Sequence, residues 1–378
     1  MKKKYIILSI ITLVLLVSFL SYSKYLKSTN VCKEDVKPTK ITKGISMNLE
    51  QTAGAGDYKT VTQSSWPTEG YKFNAELSRC EKGSELSWDD TKKAVIVSGN
   101  LSDKCYVYFD IYQPTLAEYI KSQYTGTQGD NALYYHNSTL TNGAGDNSYR
   151  YAGASDSVNN YICLGSDATT CPEANLFRII GVFGDQTKVI RAKSVGNKQW
   201  HTSSSNTWSS SSLNTYLNGE YLTSLGTLAE KIATTTWKDG GGSWSNIVES
   251  VPKTVYQYEV GSSASTTTHD AKIGLMYVSD YYYSASPSAW TLVGYNESDA
   301  TKDYRAATST NWLYLGSTEW TISRYSDSTA SAFGVSSTGY VSSSGVASSN
   351  GVRPVFNLLS STSYVSGSGS MSDPVRVN

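Results

Sequence analysis

Histidine is scarce in this chain: His136, His201 and His269 are all it has in 378 residues. Their spacing places no His-rich metal site and sets no base beside a nucleophile. An excess of either charge is also missing, since Lys plus Arg and Asp plus Glu number 32 each. A balanced chain has no basic field to hold nucleic acid and no strong charge to trap an acidic substrate. There is no nucleophile elbow and no carboxylate pair whose placement the sequence fixes, so no catalytic residue is assigned and no metal or cofactor is expected. Long helix-period patterns are few. What fills the chain instead is Ser, Thr, Gly, Tyr and Val in short alternating stretches, which predicts a mainly β body long enough for two domains.

At the N-terminus, Lys2, Lys3 and Lys4 precede an apolar run from Tyr5 to Leu20. As a helix this run spans about 24 Å, short of a roughly 30 Å hydrocarbon core, but with Ser21 to Ser23 it reaches about 28 Å, just long enough to span. The lysines favour an inside N-terminus, and LVSFLSYSKYL has no small-residue cleavage site. Residues 1–26 are therefore expected to be a transmembrane signal anchor with the body outside the cytoplasm. Polar residues 27–43 then suit a stalk.

Five cysteines remain to be placed. Cys80 and Cys105 bracket GSELSW, AVIVSG and CYVYFD, which read as a β-meander, and Cys163 and Cys171 flank the turn GSDATT. Two local disulfides are expected, each holding a small β unit outside a reducing compartment. Cys32 is left over, to pair with another chain or stay reduced.

Residues 44–112 alternate in short stretches between turns and fit a small β-sandwich-like domain. After Pro114, TLAEYIKSQY carries Leu116, Tyr119 and Ile120 on one helical face with Thr115 as N-cap, so residues 113–128 predict a connecting helix. Residues 129–378 form the second domain. Its opening, rich in Asp, Asn and Gly, lacks the order of an EF-hand loop and reads as solvated turns. LFRIIGVF and KVIRAKSVG predict a hairpin, SSSSLNTYLNGEYLTSL a helix, and VYQYEV and IGLMYVSDYYYSA strands. His269 and Asp270, adjacent on such a pattern, point to opposite faces and read as loop polarity.

The order LFRIIGVF…KVIRAKS, W…SSLNTYLNGEYL, IGLMYVSDYY, NWLYLGSTEWTISRYS and GVRPVFNL resembles an uncharacterised exported bacterial domain common in gut Firmicutes. Its ending is similar to the C-type-lectin-like and formylglycine-generating-enzyme-like folds, which implies a mixed α+β C-terminal domain. No cysteine follows Cys171, so the oxidative chemistry of the latter does not carry over. The expected function is that of a membrane-anchored surface protein whose C-terminal domain recognises a glycan or a protein without catalysis; the alternatives are an envelope-processing enzyme and a purely structural surface protein. Trp208, Trp290, Trp312 and Trp320 are candidate aromatic platforms or core residues. From the Ser/Tyr/Gly-rich segment 323–350 and its entrance, Trp320, Arg324, Tyr325 and Tyr340 are the candidate ligand contacts. Trp312 is assigned to the scaffold, and Arg353 in Gly-Val-Arg-Pro to a structural tie, a use its planar guanidinium serves well.

Overall fold

The computed structural model describes residues 44–378 except 63–64, 68–69 and 101, together with the backbone of one strand at Cys32–Asp35. The chain divides into two compact units, 1–113 and 114–378. Each has its own core.

In the first unit the strands are β1 (Cys32–Asp35), β2 (Ile45–Glu50), β3 (Tyr58–Val61), β4 (Tyr71–Phe73), β5 (Arg79–Cys80), β6 (Glu85–Asp89), β7 (Ala94–Gly99) and β8 (Cys105–Ile111). They form a three-stranded sheet, β1-β7-β6, and a five-stranded one, β3-β2-β8-β4 with β5 also on β8. β2, β7 and β8 supply a shared apolar cluster of Met47, Leu49, Val95, Val97, Val107 and Phe109. The expected meander is corrected here. β6 and β7 do form a hairpin, but β8 leaves them to run parallel to β2 in the other sheet. That choice buries Cys105, Val107 and Phe109, the inward set of its period-2 pattern, between the sheets. The Cys80–Cys105 disulfide ties β5 to β8. Within the expected stalk, β1 is a strand paired with β7.

The second unit begins with α1 (Leu116–Ser122), capped by Thr115 and Glu118 in a reciprocal capping box. Strands β9 (Leu133–Tyr135), β10 (Tyr149–Tyr151), β11 (Tyr161–Cys163), β12 (Leu176–Phe183), β13 (Gln186–Arg191) and β14 (Asn197–Gln199) follow. α2 (Ser212–Tyr216) runs on through a π turn at Leu217–Tyr221 and a last turn at Leu222–Ser224, so the predicted helix exists with a bulge in it. Next are β15 (Thr235–Lys238), β16 (Gly241–Gly242), α3 (Pro252–Glu259), β17 (Thr268–Ala271), β18 (Ile273–Gly274) and α4 (Val278–Tyr283). The chain finishes with β19 (Glu319–Tyr325), β20 (Ser331–Val335), β21 (Val341–Gly345), β22 (Ser349–Gly351), β23 (Val355–Asn357), β24 (Tyr364–Ser366) and β25 (Val375–Val377). A nine-stranded sheet runs β18-β23-β13-β12-β11-β25-β24, with β10 on β12 and β9 on β10. A six-stranded sheet runs β14-β22-β19-β20-β21, with β16 also on β19. The LFRIIGVF hairpin with β13 is present, and the Cys163–Cys171 disulfide closes the loop between β11 and β12.

Three expectations change. The transmembrane anchor of residues 1–26 lies outside the described residues, and among the described residues no helix is long and apolar enough to cross a membrane. The longest uninterrupted α-helix among them has eight residues. The expected fold class, a transmembrane helix followed by a mixed α+β lectin-like domain, is corrected to mainly β with few, short helices. VYQYEV, expected as a strand, is helical because Pro252 starts a helix at its first turn, with the fixed φ that position favours. IGLMYVSDYYYSA gives only two strand residues before α4, whose first amides are held by a carboxyl from elsewhere in the chain.

Candidate functional site

Four strands of the large sheet meet in one cross-strand row: Arg150 on β10 pairs with Gly181 on β12, Gly181 with Lys188 on β13, and Lys188 with Asn357 on β23. Directly paired residues point to the same face of a sheet. Arg150, Lys188 and Asn357 therefore share one face, with a gap at Gly181. A side chain at Gly181 would run into the Tyr149 carbonyl, 2.2 Å from where its first carbon would stand. The glycine allows β10 and β12 to approach and leaves the floor open between two long cations.

Over this floor lies a cleft of about 260 Å³. Its walls are Phe183 from the end of β12, Thr235, Thr236 and Trp237 from β15, Tyr256 and Val260 from the end of α3, and Tyr277, Ser279 and Asp280 at the start of α4. Trp237 is fixed by its indole N–H on the Ala271 carbonyl at 3.0 Å. The Tyr277 hydroxyl donates to the Lys238 carbonyl at 3.0 Å and accepts from its N–H at 3.1 Å, which locks β15 to the start of α4.

The charges under the cleft neutralise one another. Lys188 Nζ donates to Asp280 Oδ2 at 2.5 Å, and Asp280 Oδ1 faces Arg150 Nη1 at 3.8 Å. Arg150 Nη2 donates to Asp146 at 2.6 Å and its Nε to Ser148 at 2.8 Å. Lys188, Arg150 and Asp280 are all more than nine-tenths buried. Burial works against ionisation of Asp146, yet the Arg150 guanidinium and Ser148 hold its carboxyl well below the usual carboxylate range. Asp146 and Asp280 in turn raise the basicity of Arg150 against its own burial. Two cations and two carboxylates thus form a compensated set, the arrangement that makes buried charge tolerable. The rings of Tyr277, Phe183 and Trp237 stand 5.0, 5.4 and 6.0 Å from Lys188 Nζ, within the range of cation–π attraction.

The start of α4 is held by a residue far away in sequence. Glu259, the fully buried last residue of α3, accepts from the N–H groups of Val278 at 2.9 Å and Ser279 at 2.8 Å, and from the Ser323 hydroxyl on β19. Asp280 adds a local bond from the Tyr277 N–H at 2.9 Å. Two carboxylates at a helix N-terminus satisfy its free donors and oppose its dipole. This is why the Tyr-rich stretch folds as a helix. Burial pushes Glu259 up from its ordinary 4.5 to about 7, against the pull of Ser279, Ser323 and the Val278 amide.

None of Trp320, Arg324, Tyr325 and Tyr340 lines the cleft. Trp320 is 1% exposed, with its indole N–H on the Lys198 carbonyl, and has no face for a ligand. Arg324 and Tyr325 lie half-buried on β19 beside β16. Tyr340 packs on Tyr295 at 4.9 Å, with Arg305 over both rings. Trp208, Trp290 and Trp312 are also core residues. Arg353 is buried and donates to the Leu313 carbonyl at 2.6 Å and to buried Glu319 at 2.7 Å. His269 and Asp270 lie on β17, not in a loop: Asp270 accepts from Thr236, and His269 meets the Asn214 amide. Among the described residues no group of three or more His, Cys, Asp or Glu is placed to hold a metal ion.

Sequence reasoning passed over the cleft's own residues. The available signal was a charged residue inside an apolar run: Arg150 in YRYAG, Lys188 in KVIRA, Asp280 in VSDYYY. Such a residue needs a buried partner.

Residues 184–360 match a family described as a domain of unknown function, DUF6273. The matched segment includes Lys188, Trp237, Tyr256, Tyr277, Asp280 and Asn357 of the cleft and leaves out Arg150 and Phe183. No curated protein and no solved structure matches the chain.

Proposed function

We propose that this is an extracytoplasmic binding protein whose C-terminal unit holds one sugar residue of an uncharged glycan in the cleft over Lys188. The observation that carries this reading is the pairing of aromatic walls with a floor whose charges already cancel. Phe183 and Tyr256, both half-buried, offer ring faces for the C–H faces of a pyranose, with the buried rings of Trp237 and Tyr277 behind them, and Thr235, Thr236 and Asn357 offer polar groups. A volume near 260 Å³ suits one ring, not a drug-sized molecule. Binding is favoured over catalysis because Asp146 and Asp280 are each held by a cation and neither is free to act as acid or base. Two disulfides support a location outside a reducing compartment.

The test is binding of the full chain to an array of neutral oligosaccharides, with Tyr256→Ala as the variant, since Tyr256 is half-buried at the rim. The expected result is binding to at least one class, weakened about tenfold in the variant, or about 1.4 kcal/mol. Failure to bind any neutral oligosaccharide, or a variant that binds as well as the parent, removes the reading.

A further inference from the structure

The hydrogen bonds left unmade around the cleft narrow the ligand. Lys188 brings three N–H donors, and Asp280 takes one; its remaining neighbours in the cleft are aromatic rings. Arg150 commits Nε and Nη2, while Nη1 makes no hydrogen bond and stands 3.8 Å from Asp280. One strand over, in the same cross-strand row, Asn357 gives its amide N–H to the Thr235 hydroxyl at 3.0 Å, and its Oδ1 is buried with no donor. The floor thus has spare donors at one end and an unanswered acceptor beside them. An ammonium with one partner and a buried carbonyl with none are both costly when dry.

A ligand that answers both must present an acceptor and a donor a few ångströms apart. A carboxylate presents acceptors only, and would bring an uncompensated negative charge next to Asp280 in a low-dielectric site where the existing charges already cancel. A hydroxyl must serve both ends through one atom, and a pair of sugar hydroxyls is the competing answer, which the comparison with cellotriose tests. A secondary amide has a carbonyl oxygen for Lys188 and an N–H for Asn357, carries no charge, and its acyl methyl has the Phe183 ring to pack against.

We propose that the sugar residue held in the cleft carries an acylamino group, with its carbonyl oxygen on Lys188 Nζ and its N–H on Asn357 Oδ1. The proposal rests on the glycan reading above, and the experiment separates the two. Isothermal titration of the full chain compares N,N′,N″-triacetylchitotriose with cellotriose, which has the same linkage without the acylamino groups, and with trigalacturonate and trialanine. The expected result is chitotriose binding at least tenfold tighter than cellotriose, with that ratio collapsing toward one in Asn357→Ala. Asn357 is half-buried and carries no charge, so its truncation leaves the ion pairs intact. Equal affinity for chitotriose and cellotriose overturns the acylamino proposal and leaves the glycan reading standing. Tighter binding of trigalacturonate overturns it in favour of an acidic sugar, and of trialanine in favour of a peptide amide. No binding to any of the four removes this proposal, and the glycan array then decides the broader reading.

Discussion

Replacing Glu259 by Gln should change the pH dependence of stability in a way that no surface charge can mimic. The carboxyl is fully buried, accepts from two helix N-terminal amides and one hydroxyl, and titrates at about 7 in the folded chain against an ordinary 4.5. Between those values the folded state keeps a proton that the unfolded state has lost, so stability falls as pH rises from 4.5 to 7 and is level on either side. At about 1.36 kcal/mol per pH unit the whole excursion is roughly 3 kcal/mol. The glutamine side chain of the Glu259→Gln variant cannot ionise. It will have an offset of its own, because its amide N–H₂ faces a backbone N–H, but that offset is constant with pH. Urea denaturation of the disulfide-intact full chain at half-unit steps from about pH 4.5 to 8, followed by tryptophan fluorescence, gives both profiles. The parent-minus-variant difference should swing by roughly 3 kcal/mol toward the variant as pH rises. Parallel profiles would refute the buried-carboxyl argument.

Two further perturbations test the frame around the cleft. Arg353→Met leaves Glu319 buried without its cation and should cost about 3–5 kcal/mol in denaturant melts. Adding Glu319→Leu should recover a large part of that, because an apolar pair replaces the ion pair; a double variant as unstable as the single would show that the bond to the Leu313 carbonyl matters more. Replacing Cys163 and Cys171 by Ser opens a loop with a sequence separation of 8, and Cys80 with Cys105 one of 25. The chain-entropy relation gives about 2.5 and about 3.5 kcal/mol respectively, each expected in the transition of its own unit by calorimetry.

How much of this could be read in the sequence depended on how far apart the determining residues are. The β12–β13 hairpin is visible because its two apolar runs are joined by a short turn at Gly184-Asp185. α1 is visible because Thr115 and Glu118, three residues apart, form its own cap. α4 is not, because the carboxylate that satisfies its first amides belongs to Glu259, nineteen residues before Val278. The same holds for the cleft. Arg150, Gly181, Lys188 and Asn357 are brought into one row only by strand register, and no local pattern specifies that register. Trp320 misled for a related reason: it opens a Ser/Gly-rich segment and looks displayed, but its indole N–H finds the carbonyl of Lys198, more than a hundred residues earlier.

The order of strands in the large sheet bears on how this protein can be cut. β13 and β23 fall inside the segment 184–360, but the strand on the other side of β13 is β12, at Leu176–Phe183, and β11, β24 and β25 also lie beyond the ends of that segment. A fragment trimmed to 184–360 would bare the edge of β13 along Val189 and Ile190, both 0% exposed in the whole unit. An apolar edge of that kind pairs with its copies and aggregates. It would also lose Arg150 together with Asp146, and leave Asp280 with Lys188 alone. Expression of 114–378 should give a soluble body, and expression of 184–360 insoluble material, so that the boundaries of sequence similarity and of independent folding do not coincide in this chain.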